Sequence, residues 1–314
     1  MNILVTGGSG FVGSSLIEDL LQSGHNITNL DTQWFGLNLN DNKNLTNIKC
    51  DIRNLDDVSF KNFDAVVHLA NIANDPGVEL NPSLSWEINV LAGKLLIEKA
   101  IKNNIKKFIY ASSGSVYGLK KEEQVTEDLE LVPLSTYNKT KMVAERLFLS
   151  YSSQIEFYAL RPATVCGLSP RMRLDVSVNL LTFQALSKGN ITLFGGDQIR
   201  PNIHMKDMVN AYKHLLFNNI KPDIYNAGFE NFSLKDLSDL IKNKTNCKIE
   251  ITSTNDPRSY RQNSDKLIST GFQKKYSVKE AINDITDAYN SGKIKESDTC
   301  YTVKWMKKLG LNNI

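Results

Sequence analysis

The stretch Val5-Thr6-Gly7-Gly8-Ser9-Gly10-Phe11-Val12-Gly13 sets Gly7, Gly10 and Gly13 at GxxGxxG spacing directly behind a short apolar run, Ile3 to Val5. That run reads as a strand and residues 14–21 as an amphipathic helix, so the glycines occupy a strand-to-helix turn. Such a turn suits the pyrophosphate of a dinucleotide. The chain must reverse tightly, its backbone N–H groups must approach phosphate oxygens with no Cβ in the way, and the helix N-terminus adds partial positive charge. A glycine triplet alone is a weak signal in a chain with 18 glycines, and the flanking strand and helix supply its context.

Working outward, Asp31 closes the next apolar strand, 26–31. A carboxylate there can accept both adenosine ribose hydroxyls and repels a 2′-phosphate, which favours NAD over NADP. Cys50-Asp51-Ile52-Arg53 follows a third short strand and places Asp51 where it could accept from the adenine amino group. Apolar strands at 65–69, 107–111 and 157–161 then alternate with amphipathic helices at about 83–103 and 135–152. This rhythm predicts an α/β fold, a Rossmann-type doubly wound parallel sheet. The rhythm breaks over 167–200 and again after about 227, whereas 202–226 reads as strand, helix, strand returning to the sheet. The expected division is therefore a dinucleotide-binding domain of 1–166 and 202–227, with a smaller, mostly α/β substrate portion of 167–201 and 228–314.

The remaining composition excludes more than it assigns. Over 314 residues the net charge is +3, with no basic cluster, so nucleic acid is not the expected partner. Cys50, Cys166, Cys247 and Cys300 lie far apart without CxxC spacing, so neither a disulfide frame nor a metal site is expected. No apolar run reaches membrane-spanning length, and the glycine motif begins too early to leave room for a signal peptide. The expected location is cytoplasmic.

Tyr137-Asn138-Lys139-Thr140-Lys141 carries the chemistry. Tyr137 and Lys141 are four apart and share a helix face. A phenol with a pKa of about 10 must drop by about 3 units to serve as a base at neutral pH, worth roughly 4 kcal/mol. A lysine cation at about 4 Å supplies a similar amount at a moderate dielectric. Upstream, Ser112-Ser113-Gly114-Ser115-Val116-Tyr117-Gly118 follows a strand at the carboxyl edge of the sheet, where ligands of open α/β sheets bind. Ser113 could hydrogen-bond a sugar oxygen and share its proton with Tyr137.

With these motifs in place the chain resembles the extended short-chain dehydrogenase/reductase family, in particular its nucleotide-sugar epimerase and dehydratase branch and the UDP-glucose 4-epimerase-like members. The matching segments are the glycine motif, Asp31, Asp51, His68-Leu69-Ala70, Asn89, 112–118, 137–141, Leu160-Arg161-Pro162, 200–207 and 225–228. The resemblance implies a tightly bound NAD and hydride exchange at a carbinol, C4 for an epimerase, of a nucleoside-diphosphate sugar. Tyr137 would act as acid or base, Lys141 would lower its pKa and hold the nicotinamide ribose, and Ser113 would orient the sugar. Gly7, Gly10, Phe11, Val12, Gly13, Asp31, Asp51, Ile52, Leu69, Ala70, Asn89 and Pro162 would complete the cofactor site. Asn74 and Thr164 would line the sugar pocket, with Asn179, Arg200 and Arg258 on the diphosphate and Phe194 stacking on the base. Arg261 and the pair Arg171 and Arg173 would contribute less directly. Relatives often carry asparagine where Thr164 stands. In 4,6-dehydratases an acidic pair follows the catalytic hydroxyl residue, and here those positions are Gly114 and Ser115, which cannot move the protons of an elimination. Epimerase, net 4-dehydrogenase and 4-keto reductase remain as readings, with a non-catalytic dinucleotide sensor behind them. Relatives dimerise through the two helices here marked by Leu84, Ile88, Leu91 and Leu95 and by Tyr137, so a homodimer is expected.

Overall fold

The structure is a computed structural model and describes residues 1–253 and 259–312. Its main sheet contains β1 (Asn2–Thr6), β2 (Asn26–Asp31), β3 (Leu45–Lys49), β4 (Ala65–His68), β5 (Lys107–Ala111), β6 (Glu156–Pro162) and β10 (Ile224–Ala227). These seven strands run parallel in the order β10-β6-β5-β4-β1-β2-β3. The chain moves outward from β1 through β2 to β3 and then crosses to β4 on the other side of β1. The loops after β1 and β4 therefore diverge and open a crevice at the carboxyl ends of the strands.

Side chains alternate across this sheet with a period of two. Ile3, Val5, Ala65, Val67 and Ile109 pack with helices α1 (Phe11–Gln22) and α7 (Met205–Phe217). Leu4, Val66, Phe108 and Tyr110 pack on the other face with α4 (Gly93–Lys102) and α5 (Thr136–Leu149). Both faces are covered, which is why the strand sequences are nearly continuous apolar runs.

Two expectations from the sequence are corrected. The helix expected over 83–103 is three segments: α3 (Pro82–Trp86), a π-helical stretch (Glu87–Ala92) and α4. The extra residue of the wider turn rotates Asn89 into the interior. The strand expected to return to the sheet near 202, β9 (Ile199–His204), instead joins a three-stranded sheet between β7 (Thr164–Cys166) and β11 (Glu230–Ser233). Only β10 of that unit reaches the main sheet, because Ile203 and Met205 are taken up by the core under α7.

The smaller portion builds its own core from α6 (Ser177–Lys188), α8 (Leu234–Thr245) and α10 (Val278–Asn290), beside a two-stranded sheet of β8 (Asn190–Phe194) and β12 (Lys248–Thr252). Three short α-helices, α2 (Asp75–Val78), α9 (Asp265–Ser269) and α11 (Thr302–Lys308), and two 3-10 turns, Gly114–Tyr117 and Asp298–Cys300, complete the described elements. Among the described residues no helix is long and apolar enough to cross a membrane.

Candidate active site

The three glycines of the first turn do three different jobs. Gly7 sits at φ +74°, and a Cβ there would lie 2.5 Å from the Ala70 nitrogen, so the β1 and β4 loops touch only because the side chain is absent. At Gly13 a Cβ would meet the Gly7 oxygen at 2.4 Å, which fixes how closely α1 approaches the strand. Gly10 is different: the only neighbour a Cβ would meet is the Gly7 oxygen at 3.1 Å. Gly10 also heads α1, and no side chain caps that helix end. Uncapped N–H groups facing an open cradle fit a phosphate.

The crevice beyond this turn is a cleft of about 620 Å³. Gly7, Gly10, Phe11, Val12, Gly13, Asp31, Asp51, Ile52, Leu69, Ala70 and Pro162 line it, as do Asn74, Ser113, Thr164, Tyr137, Lys141 and Arg200. Asp31 accepts from the backbone N–H of Ser9 at 3.0 Å and of Gln33 at 2.6 Å. Burial raises its carboxyl pKa, and those two N–H groups pull it back toward ionisation. Asp51 is held by Arg53, with the closest pair at 2.8 Å.

Ser135 starts the helix that presents Tyr137 by accepting from the Asn138 N–H at 3.2 Å. Ser113 hydrogen-bonds Tyr137, which lowers the phenol, but desolvation is the larger effect and pushes Tyr137 up to about 12. Lys141 Nζ lies 5.9 Å from the centre of the Tyr137 ring and donates to the Ala111 carbonyl at 2.6 Å. With its amide turned to satisfy its neighbours, Asn71 accepts from the same Nζ at 3.0 Å. Burial brings Lys141 down to about 7, against the opposing charge of Glu145. From sequence, Lys141 is expected to lower the phenol, with oxidised cofactor adding to it; here desolvation outweighs Ser113 and Arg173, which lower Tyr137. Both groups are desolvated, and each loses some of the charge the other would stabilise.

Four other residues named from sequence, Asn89, Asn179, Phe194 and Arg261, lie outside the cleft wall. Asn89 accepts from the Ile72 N–H at 2.9 Å and donates to Thr140 Oγ1 at 3.1 Å, so its amide ties the β4 loop to α5. Asn179 is fully buried, and its amide holds both backbone groups of Gly167 and the Arg173 carbonyl. Phe194 is 62% exposed at the end of β8. Arg258 lies outside the described residues.

The cleft gains walls that sequence reasoning missed. Trp34 and Phe35 from the loop after β2, Asp175, and Thr302 and Met306 of α11 all line it. Arg171 and Arg173, given a less direct part by the sequence reading, line it too, from the segment 167–175 between β7 and α6. The alternation Arg171-Met172-Arg173-Leu174-Asp175 was the available signal for that segment; α11 offers none beyond ordinary amphipathicity. At Gly114 a Cβ would sit 3.0 Å from the Gln262 Oε1 and 3.1 Å from the Pro162 oxygen, so a side chain there would need those neighbours to give by a few tenths of an ångström.

A family model described as the NAD dependent epimerase/dehydratase family matches residues 3–228. The chain belongs to that family. It is 35% identical over 237 residues to the uncharacterised UDP-glucose epimerase YtcB of Bacillus subtilis, covering 69% of this chain and 72% of the relative. It is 27% identical over 253 residues to a UDP-glucose 4-epimerase of Lactobacillus helveticus, covering 73% and 76%. Among solved structures, MoeE5 in complex with UDP-glucuronic acid and NAD superposes with a TM-score of 0.84 at 28% identity, over 93% of this chain and 100% of that one. The epimerase/dehydratase family is NAD-dependent, and the superposition on MoeE5 shows the same fold.

Proposed function

We propose that the chain is an NAD-dependent epimerase of a nucleoside-diphosphate sugar, acting at C4 through a 4-keto species. The observation that carries this reading is the meeting of the uncapped glycine turn with Ser113, Tyr137 and Lys141 in one cleft. Gly114 and Ser115, which carry no acid where an elimination would need one, set elimination behind redox chemistry. UDP-linked sugars are the first substrates to try, since similar proteins carry UDP-glucose and UDP-glucuronic acid in their names or complexes. In this reading 1–166 and 202–227 carry the dinucleotide, most of 167–201 and 228–314 the sugar nucleotide, and the protein is a homodimer.

The residues fit the cofactor. The N–H groups at the start of α1 would hold the pyrophosphate, Asp31 the adenosine ribose and Asp51 the adenine. Bound NAD would supply the hydride acceptor and, when oxidised, a positive charge. The chain supplies the proton path. Tyr137 takes the hydroxyl proton, and Ser113 holds both the phenol and the sugar oxygen. Bringing a phenol from about 12 to 7 costs about 7 kcal/mol. The Lys141 cation, the Ser113 hydrogen bond and the charge of bound oxidised cofactor would together have to supply it. Each tyrosinate formed also raises the lysine, so the two groups charge together.

The test is to incubate the protein as purified with UDP-, GDP-, dTDP- and CDP-hexoses, following sugar stereochemistry by proton NMR and reduced cofactor by absorbance. Inverted sugar without lasting reduced cofactor is the expected outcome. A keto-sugar formed in step with reduced cofactor would replace the epimerase by a net dehydrogenase.

A further inference from the structure

Arg171 is a guanidinium enclosed in the cleft wall with no carboxylate hydrogen-bonded to it among the described residues. It is 5% exposed, and among the same residues its Nε has no hydrogen-bond partner. Its Nη2 reaches the Thr302 hydroxyl only at 3.3 Å. The neighbouring acid, Asp175, is taken by Arg173 at 2.7 Å. Burial brings Arg171 down to about 10, against its ordinary 12.5. A cation withdrawn from water without a counter-ion is strongly unfavourable, so a cleft that keeps one there has a place for an anion.

The position of the guanidinium says which anion. Its segment lies across the glycine turn: Ser169 Oγ donates to the Phe11 carbonyl at 2.6 Å, and the Arg171 N–H points to Ser14 Oγ at 3.4 Å. The guanidinium rests on the Phe35 ring, 4.1 Å from its centre, just past Asp31. Asp31 feels the charge of Arg171, whereas Tyr137 feels that of Arg173. Of the two arginines, Arg171 is the one whose segment is tied to the glycine turn, through Phe11 and Ser14.

We propose that Arg171 is a dinucleotide-binding residue, its guanidinium pairing with the pyrophosphate of NAD opposite the uncapped end of α1. This rests on the NAD reading above. It also joins the cofactor to the C-terminal helix α11. Asp175, fixed by Arg173, accepts from the Thr302 N–H at 2.8 Å, and Thr302 is the residue that Arg171 touches. A residue of the expected substrate portion would then close over the cofactor, and release of NAD would require that segment to lift.

The test is calorimetric titration of the nucleotide-stripped full chain, and of Arg171→Gln and Arg171→Lys, with NAD, ADP, adenosine and UDP. Arg171→Gln is expected to weaken NAD and ADP by about ten- to hundred-fold while leaving adenosine and UDP within about a factor of two. Arg171→Lys should recover part of the loss, as a point charge without the planar fork. Melting of the ligand-free Gln variant should be unchanged or higher, since an unpaired buried cation has been removed. Unchanged NAD and ADP affinities would overturn the inference. So would equal weakening of adenosine, which would make Arg171 a wall of the adenosine pocket, or selective loss of UDP, which would assign it to the sugar nucleotide. Wild-type protein that binds ADP but not NAD would sink the NAD reading itself and leave Arg171 as a general nucleotide contact, a different result from any of these.

Discussion

Tyr137 and Lys141 were legible as a pair from their spacing alone, because four residues on a helix is one face. Their electrostatics were not legible, because desolvation depends on what folds over them. Tyr137→Phe keeps the ring and removes the proton carrier. Turnover should fall by about 10²–10⁴-fold while NAD still raises the melting temperature; a Phe variant with wild-type turnover would remove Tyr137 from the mechanism. Lys141 makes a sharper statement about pH. Its pKa falls from 10.5 to about 7 on folding. The unfolded chain therefore binds the proton more tightly between those values. The folding penalty is absent above about 10.5, grows as pH falls, and is fully present below about 7. Lys141→Met abolishes this penalty. In denaturant melts without ligand, the variant's gain over wild type should be largest near pH 7 and shrink toward pH 10, while its activity is lost throughout. A gain that does not change with pH would mean that the lysine is not desolvated.

At the scale of elements, most strands were readable from sequence because a sheet covered on both faces turns strands into apolar runs. The π-helical stretch was not readable. It depends on Asn89 finding Ile72 and Thr140 in space, and an extra residue in a turn leaves no mark on local periodicity. The seating of α5 on the sheet rests on another buried device. Arg161, on β6, donates to Glu145, on α5, at 2.6 and 3.0 Å, and Glu145 also accepts from Ser112 at 2.6 Å. Neither Arg161 nor Glu145 reaches solvent to a useful degree. Glu145→Leu leaves a guanidinium uncompensated and should cost about 3–5 kcal/mol in urea denaturation. Adding Arg161→Met removes that charge and should return most of the loss. If the double variant were no more stable than the single, the cost would lie in packing and not in the stranded charge.

At the scale of the whole molecule, the cleft joins residues as distant in sequence as Gly7 and Met306, which is why the glycine turn was readable while Trp34, Phe35 and α11 were not. No local pattern records which distant helix closes a crevice. The surface offers one more consequence. Leu91 is 58% and Leu95 50% exposed, and they stand four residues apart where the π-helical stretch passes into α4. Ile88, expected in the same stripe, is instead buried toward the cleft floor. Single exposed leucines are ordinary, but a pair four residues apart suits a two-fold contact in which each patch meets its own copy. Such a contact counts each leucine twice. Four leucines at about 1.5 kcal/mol each give about 6 kcal/mol, or roughly four decades in dissociation constant. Leu91→Glu with Leu95→Glu should therefore move the protein, by sedimentation at micromolar concentration, from twice the 35.3 kDa chain mass to the chain mass itself. The melting temperature of the monomer and its affinity for NAD should hold, because neither side chain belongs to a core or to the cleft. Wild-type protein sedimenting as a monomer would remove the dimer from the proposal and leave these leucines as ordinary surface.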